Sequence, residues 1–191
     1  MKRIVLAAIA VAVAAALPAA AEIENYSVDP NHTFPSYEIG HFGYSFQRGR
    51  FNKTAGKITL DFAAKKGTAD ITMDVASVST GVAKLDQHLQ ASDFFDVGRY
   101  PQIAFRANDL VFDGDRVVAA RGDLTIHGVT QPVSFKVTYF RCADHPMLKR
   151  KVCGADMTTT IKRSDFNMTY GLPVLADDVL LRVNVEAMKD S

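Results

Sequence analysis

Five histidines, His32, His41, His88, His127 and His145, are the first residues to test for catalysis or metal binding. None stands at the four-residue spacing of a helical zinc pair or beside a Cys-x-x-Cys, so their spacing gives no ready metal site. His32 and His41 share one early stretch and could meet across a sheet. Ser164 stands between Arg163 and Asp165, but a serine nucleophile also needs a placed histidine base. There is no Gly-x-Ser-x-Gly elbow, phosphate-cradling glycine loop or dinucleotide fingerprint. The plain reading of Ser164 is a turn held by hydrogen bonds. The aromatic residues are more suggestive: Phe34, Tyr37, Phe42, Tyr44, Phe46 and Phe51 crowd one region, and Phe94 and Phe95 form a pair. Two uses fit them, simple core filling and the wall of a site for a long apolar ligand.

Such residues need a frame to hold them, and the frame begins after a leader. Residues 1–21 carry Lys2 and Arg3, an unbroken apolar run over 4–17, Pro18 and then Ala19-Ala20-Ala21. That order is the one of a secretory signal peptide, with cleavage expected between Ala21 and Glu22. The run falls short of the roughly 20 apolar residues of a comfortable membrane span. No cysteine near the cleavage point offers a lipid attachment, so no stable membrane anchor is expected.

Removing the leader leaves residues 22–191 as a single domain and takes away two of the 22 basic residues and none of the 21 acidic ones, for a net charge of −1. A near-neutral chain with no basic run lacks the footprint of a nucleic-acid binder or of a protein held on anionic lipid. A domain of this size buries about 70% of its unfolded surface and needs no metal to fold. Cys142 and Cys153 are the only cysteines. Export would put them in an oxidising compartment, where two thiols this close in sequence pair. A disulfide is therefore expected, contributing roughly 3 kcal/mol by the chain-entropy estimate.

The dominant hydrophobic period is two. Ile58, Leu60 and Phe62 alternate with polar residues, a turn follows at Lys65-Lys66-Gly67, and Ala69, Ile71, Met73 and Val75 return as the second arm of a hairpin. Ile103, Phe105, Leu110 and Phe112 continue the theme to a turn at Asp113-Gly114-Asp115. Val118, Ala120, Gly122, Leu124 and Ile126 then share a face, and Val133, Phe135, Val137 and Tyr139 form another strand. Residues 157–161 and 179–187 complete the set, the last with Val179, Leu181, Val183 and Val185 on one side. Only residues 84–91 read as helix, with Leu85 and Leu89 on one face. The fold expected is all-β, an antiparallel barrel of about eight strands with one or two short helices. Closure removes exposed edges, and a barrel of that size can hold one small ligand.

Particular residues add a resemblance. Tyr26, Asp29-Pro30-Asn31-His32, Ile39-Gly40-His41 and Gly49-Arg50-Phe51 resemble the opening of the YceI-like family of periplasmic polyisoprenoid-binding proteins. Asp86-Gln87-His88-Leu89, Ser92-Asp93-Phe94-Phe95-Asp96, Tyr100-Pro101 and the run from Gly122 through Thr130 are closer still. Arg163-Ser164-Asp165-Phe166 and Glu186-Ala187 also fit, so the resemblance spans 26–187. Thr33 stands where Ser is frequent, and Asn167 where Gly is frequent; Asn tolerates the positive φ that Gly would supply.

The resemblance implies a lipocalin-like barrel in the periplasm whose apolar tunnel carries or sequesters a polyprenyl quinone, a polyprenyl phenol or a similar long lipid. It brings no catalytic residue to this chain, no metal and no cofactor beyond the bound lipid. Phe42, Phe46, Phe51, Met73, Phe94, Phe95 and Phe105 are the expected tunnel lining, with Phe94 and Phe95 as a lid and with Asp86 and His88 anchoring the short helix. An enzyme using His32, His41 or Asp165 on the head group of such a lipid is the second reading, and a barrel filled by its own side chains the third. A homodimer is left open.

Overall fold

A computed structural model describes residues 22–191; the expected leader over 1–21 lies outside the described residues. The strands run in chain order as β1 (Glu24–Val28), β2 (Phe34–His41), β3 (Ser45–Phe51), β4 (Thr54–Asp61), β5 (Lys66–Asp74) and the two-residue β6 (Val78–Ser79). After helix α1 (Ala83–Gln90) come β7 (Gln102–Asp113), β8 (Arg116–Ile126), β9 (Val129–Asp144), β10 (Lys151–Lys162) and β11 (Leu175–Lys189). Every pairing is antiparallel, in the order β1-β4-β5-β7-β8-β9-β10-β11, and β11 pairs back onto β1 to close a ring of eight strands. The remaining three strands continue that ring rather than adding to it. β2 follows β1 after the break at 29–33, β3 precedes β4 across Asn52 and Lys53, and β6 follows β5 after a single 3-10 turn. The fifteen residues of β11 pair with β1 through Ala187 to Lys189 and with β2 through Leu175 to Asn184.

The expected hairpin is present as β4 and β5, with Leu60 opposite Gly67 and Thr54 opposite Met73. Two readings of inward parity shift. Val118 does not take the place expected for it, because β8 carries an extra residue there: Val111 faces Ala119 and Phe112 faces Val117, so Val117 is the buried one. On β9 the pairing jumps from Asp156 opposite Tyr139 to Met157 opposite Val137. The extra residue, Thr138, leaves Tyr139 half exposed while Phe135 and Val137 are buried. Bulges of this kind bend a strand and increase its twist, which a small closed barrel requires.

Helix α1 matches the expected segment, and Leu85 and Leu89 are its partly buried residues on the barrel side. It has no side-chain N-cap; instead Asp86 accepts hydrogen bonds from the Thr80 backbone N–H at 2.7 Å and hydroxyl at 2.6 Å, fixing the helix to the segment before it. No helix of the described residues is long and apolar enough to cross a membrane. Cys142 and Cys153 face each other across β9 and β10 and are joined as a disulfide.

Candidate functional site, an apolar tunnel

The inward side chains do not meet at the barrel axis. They leave a cavity of about 570 Å³, within the size range of ligand sites. Its wall is drawn from nearly every strand. Val179, Leu181, Val183 and Val185 line the β11 side, Phe135, Val137 and Phe140 the β9 side, and Met73, Ile103 and Phe105 the opposite side. Cys153 brings the disulfide to the wall.

The tunnel opens at one end. Its exposed wall residues, Phe42, Gln47, Arg48, His88 and Tyr170, all lie around the β2–β3 hairpin, α1 and the segment before β11. At the other end Tyr26 and Leu60 are fully enclosed, and Phe62 and Phe112 meet edge to face at 6.0 Å. The mouth is held by Arg163, which is 4% exposed. Its guanidinium donates to the carbonyls of Ala176 at 2.9 Å, Met168 at 2.7 Å and Tyr170 at 2.8 Å. These bonds satisfy a charge whose burial pushes its pKa down and fasten residues 168–176 to the barrel rim. Ser164 belongs to the same brace. Its hydroxyl and backbone N–H both donate to Asp177, at 2.8 and 2.9 Å, so it is held as a turn residue.

Of the expected lining, Phe51, Met73 and Phe105 are buried on the wall, and Phe94 and Phe95 cover it from beside α1. Phe95 meets Phe51 edge to face at 5.6 Å, and Phe94 meets Tyr170 in the same way at 5.3 Å. Phe42 lies at the rim, 49% exposed. Phe46 is a correction: it is 62% exposed and is not on the wall. Counting back along β3 from the inward Phe51, Gly49 and Gln47 keep its parity and Phe46 falls on the outer face. His88 is a second correction, since it joins the wall at the mouth and packs on Phe94 at 5.0 Å rather than serving only to anchor α1.

Tyr37 was hidden in the aromatic crowd and is the polar handle of the cavity. Its ring lies over Gly49, where any side chain would collide with it. Among the described residues its hydroxyl has no hydrogen-bond partner, and burial, with Asp86 nearby, pushes the phenol well above its usual range. It is thus a neutral donor on the wall.

His32, His41 and Asp165 do not converge on the cavity. His32 precedes β2 and His41 ends it on the cavity wall, so the two do not meet. Asp165 is off the wall, its carbonyl accepting from Gln131. The nearest His and carboxylate at the mouth, His88 and Asp93, are 3.6 Å apart and both about half exposed. Among the described residues Asp29, His32 and Glu186 are the group of three whose metal-ligating atoms lie within 4.8 Å of one another. Asp29 is already spent on the turn there, accepting from the Asn31 N–H at 2.9 Å and bonding His32 Nδ1 at 2.7 Å, a partnership that raises the imidazole's pKa.

The family profile described as YceI-like domain matches residues 26–187. A UPF0312 protein of Vibrio parahaemolyticus is 30% identical over 96% of this chain and 97% of its own, and one of Pseudomonas putida is 34% identical over 86% of each. Among solved structures, Burkholderia cenocepacia BcnA superposes with a TM-score of 0.70 at 27% identity, covering 83% of this chain and 98% of that one. A polyisoprenoid binding domain from Saccharophagus degradans shares the fold at a TM-score of 0.64 and 16% identity, over 86% and 98% of the two chains. With an eight-strand barrel, an apolar tunnel and a profile match over nearly all the described residues, this chain belongs to the YceI-like family.

Proposed function

We propose that the protein binds a long uncharged lipid, a polyisoprenoid such as a polyprenyl quinone or phenol, in the barrel tunnel and carries or sequesters it in the periplasm. The observation that carries this reading is the cavity itself: about 570 Å³ walled mainly by aliphatic and aromatic side chains from around the ring, with most of its polar groups at the mouth and others, Thr33, Ser36 and Tyr37, along β2 and the residue before it. At about 30 Å³ for a water-sized group, it has room for about twenty methylene-sized units. Their burial would give a gross gain of roughly 16 kcal/mol, much of it offset by ordering the chain and by association entropy. Affinity can therefore come from wall area, while selectivity falls to the mouth, because an aliphatic wall discriminates single methylenes weakly. The likeness to the Saccharophagus domain is one of fold, and its ligand is consistent with this reading without carrying it.

An enzyme would need an acid or base within hydrogen-bond reach of a reacting atom. Of His32, His41 and Asp165 only His41 lies on the cavity wall, at the mouth, and neither of the other two joins it there. Purified protein extracted with organic solvent is expected to yield an isoprenoid by mass spectrometry, and lipid-free protein to take up a short-chain quinone. Recovery of no long-chain lipid together with failure to bind the quinone would sink the proposal.

A further inference from the structure

Ten large apolar side chains are prominently exposed among the described residues, and six of them, Phe42, Tyr44, Phe46, Val82, Tyr170 and Val174, sit at the mouth end of the barrel. The first three are on the β2–β3 hairpin. Tyr170 and Val174 precede Leu175, which pairs with His41 beside the hairpin's turn, and Val82 is the N-cap residue of α1, whose His88 meets Tyr170 edge to face at 5.8 Å. Scattered exposed apolar residues need no explanation, but a gathering at one place marks a surface that is covered in use. Phe42 and Tyr170 are tunnel wall and outer surface at once, so the patch is continuous with the cavity. The Phe42 backbone is left-handed, with φ of 53°, a conformation in which Asn or Gly is easier, so a bulky ring is kept there against local preference.

From these observations we propose that the mouth end docks on the surface of a lipid bilayer, tunnel opening inward, so that a prenyl chain passes between bilayer and tunnel without crossing water. The inference rests on the tunnel holding such a chain. A bilayer suits the patch better than a protein partner does, because a protein seated there would close the mouth that the patch surrounds. Tyr44 and Tyr170 have the apolar body and polar tip that favour the headgroup boundary, and the phenylalanines and valines fit the layer just beneath. Of the basic residues at this end, Arg48 pairs with Glu38, Lys162 with Asp178 and Arg99 with Asp96, while the exposed Lys84 on α1 has no ion-pair partner among the described residues; one lone lysine is no basic cluster to demand anionic lipid.

The chain has no tryptophan, so Tyr44→Trp supplies a single fluorophore on the patch and Tyr139→Trp a control on the barrel flank. With phosphatidylcholine vesicles, Tyr44→Trp protein is expected to float with the lipid and shift its emission to the blue, at high salt as at low, while Tyr139→Trp emission stays put. The combined variant Tyr44→Thr, Phe46→Thr, Val174→Thr removes three side chains that are not on the tunnel wall. It is expected to lower vesicle partition about tenfold or more while uptake of a short-chain quinone from solution by the lipid-free protein stays unchanged. Absence of flotation and shift, equal shifts at both positions, docking that survives the combined variant, or a patch that captures a periplasmic protein and ignores vesicles would each overturn the proposal. Lipid without docking counts against this surface, and docking without recoverable lipid counts against the tunnel's cargo, so the two readings fail separately.

Discussion

Two residues with left-handed backbone show how far single positions can be read. Asn167, which stands where Gly is frequent in the family pattern, has φ of 60° and ψ of 18° at the end of the 3-10 turn Arg163–Phe166, the geometry that Asn tolerates and Gly would supply. Phe42 is the opposite case. With Gly43 it forms a two-residue turn closed by the Tyr44 N–H donating to the His41 carbonyl at 3.0 Å, and both central residues have positive φ. Asn-Gly is the favoured pair for such a turn. Phe42→Asn is therefore expected to raise stability by about 1 kcal/mol and the thermal midpoint by about 2–4 °C, measured by thermal unfolding. No gain would mean that the ring's edge-on contact with His41, at 4.3 Å, outweighs the turn strain. The buried Arg163 could not be recognised as a brace beforehand, because its partners are backbone carbonyls that only the folded loop presents.

At the scale of strands and helix, alternation was a sufficient guide wherever the ladder is regular. Val179, Leu181, Val183 and Val185 all reach the wall as their spacing implies. It failed where an extra residue is inserted, at Val118 and Thr138, since a bulge reverses parity without leaving a mark in composition. The choice of lining was limited by the same physics: selecting aromatics found Phe51, Phe94, Phe95 and Phe105 but passed over the aliphatic wall of β11, and it took in Phe46, which faces outward. The disulfide, by contrast, followed from the expected export and from the closeness in sequence of the only two cysteines. Replacing both Cys142 and Cys153 by Ser is expected to cost roughly 3 kcal/mol in denaturant unfolding, and the native protein is expected to resist a thiol reagent until reduced. Full labelling without reductant would exclude the pairing.

For the whole molecule, the decisive event is closure of β11 onto β1, between segments at opposite ends of the described chain. Glu24 locks that seam. Burial opposes its charge, but hydrogen bonds from Lys151 at 2.8 Å, Lys189 at 2.7 Å and the Tyr26 hydroxyl at 2.6 Å overcome the penalty and lower its pKa from 4.5 to about 2. Because the folded value is depressed, this stabilisation is complete above about pH 5 and is lost as pH falls toward 2, up to about 3 kcal/mol in all. Glu24→Gln is expected to weaken the protein at neutral pH and to flatten its acid unfolding limb; an unaltered pH profile would show that the seam does not depend on this charge. The other pole has a different lesson. A tube with a single door imposes order on any linear guest: the tail must enter first and the head leave first, and one guest must depart before another arrives. Under the proposed function, delivery from such a sleeve would be a withdrawal by whatever grips the protruding head, its rate set as much by the receiver as by this protein.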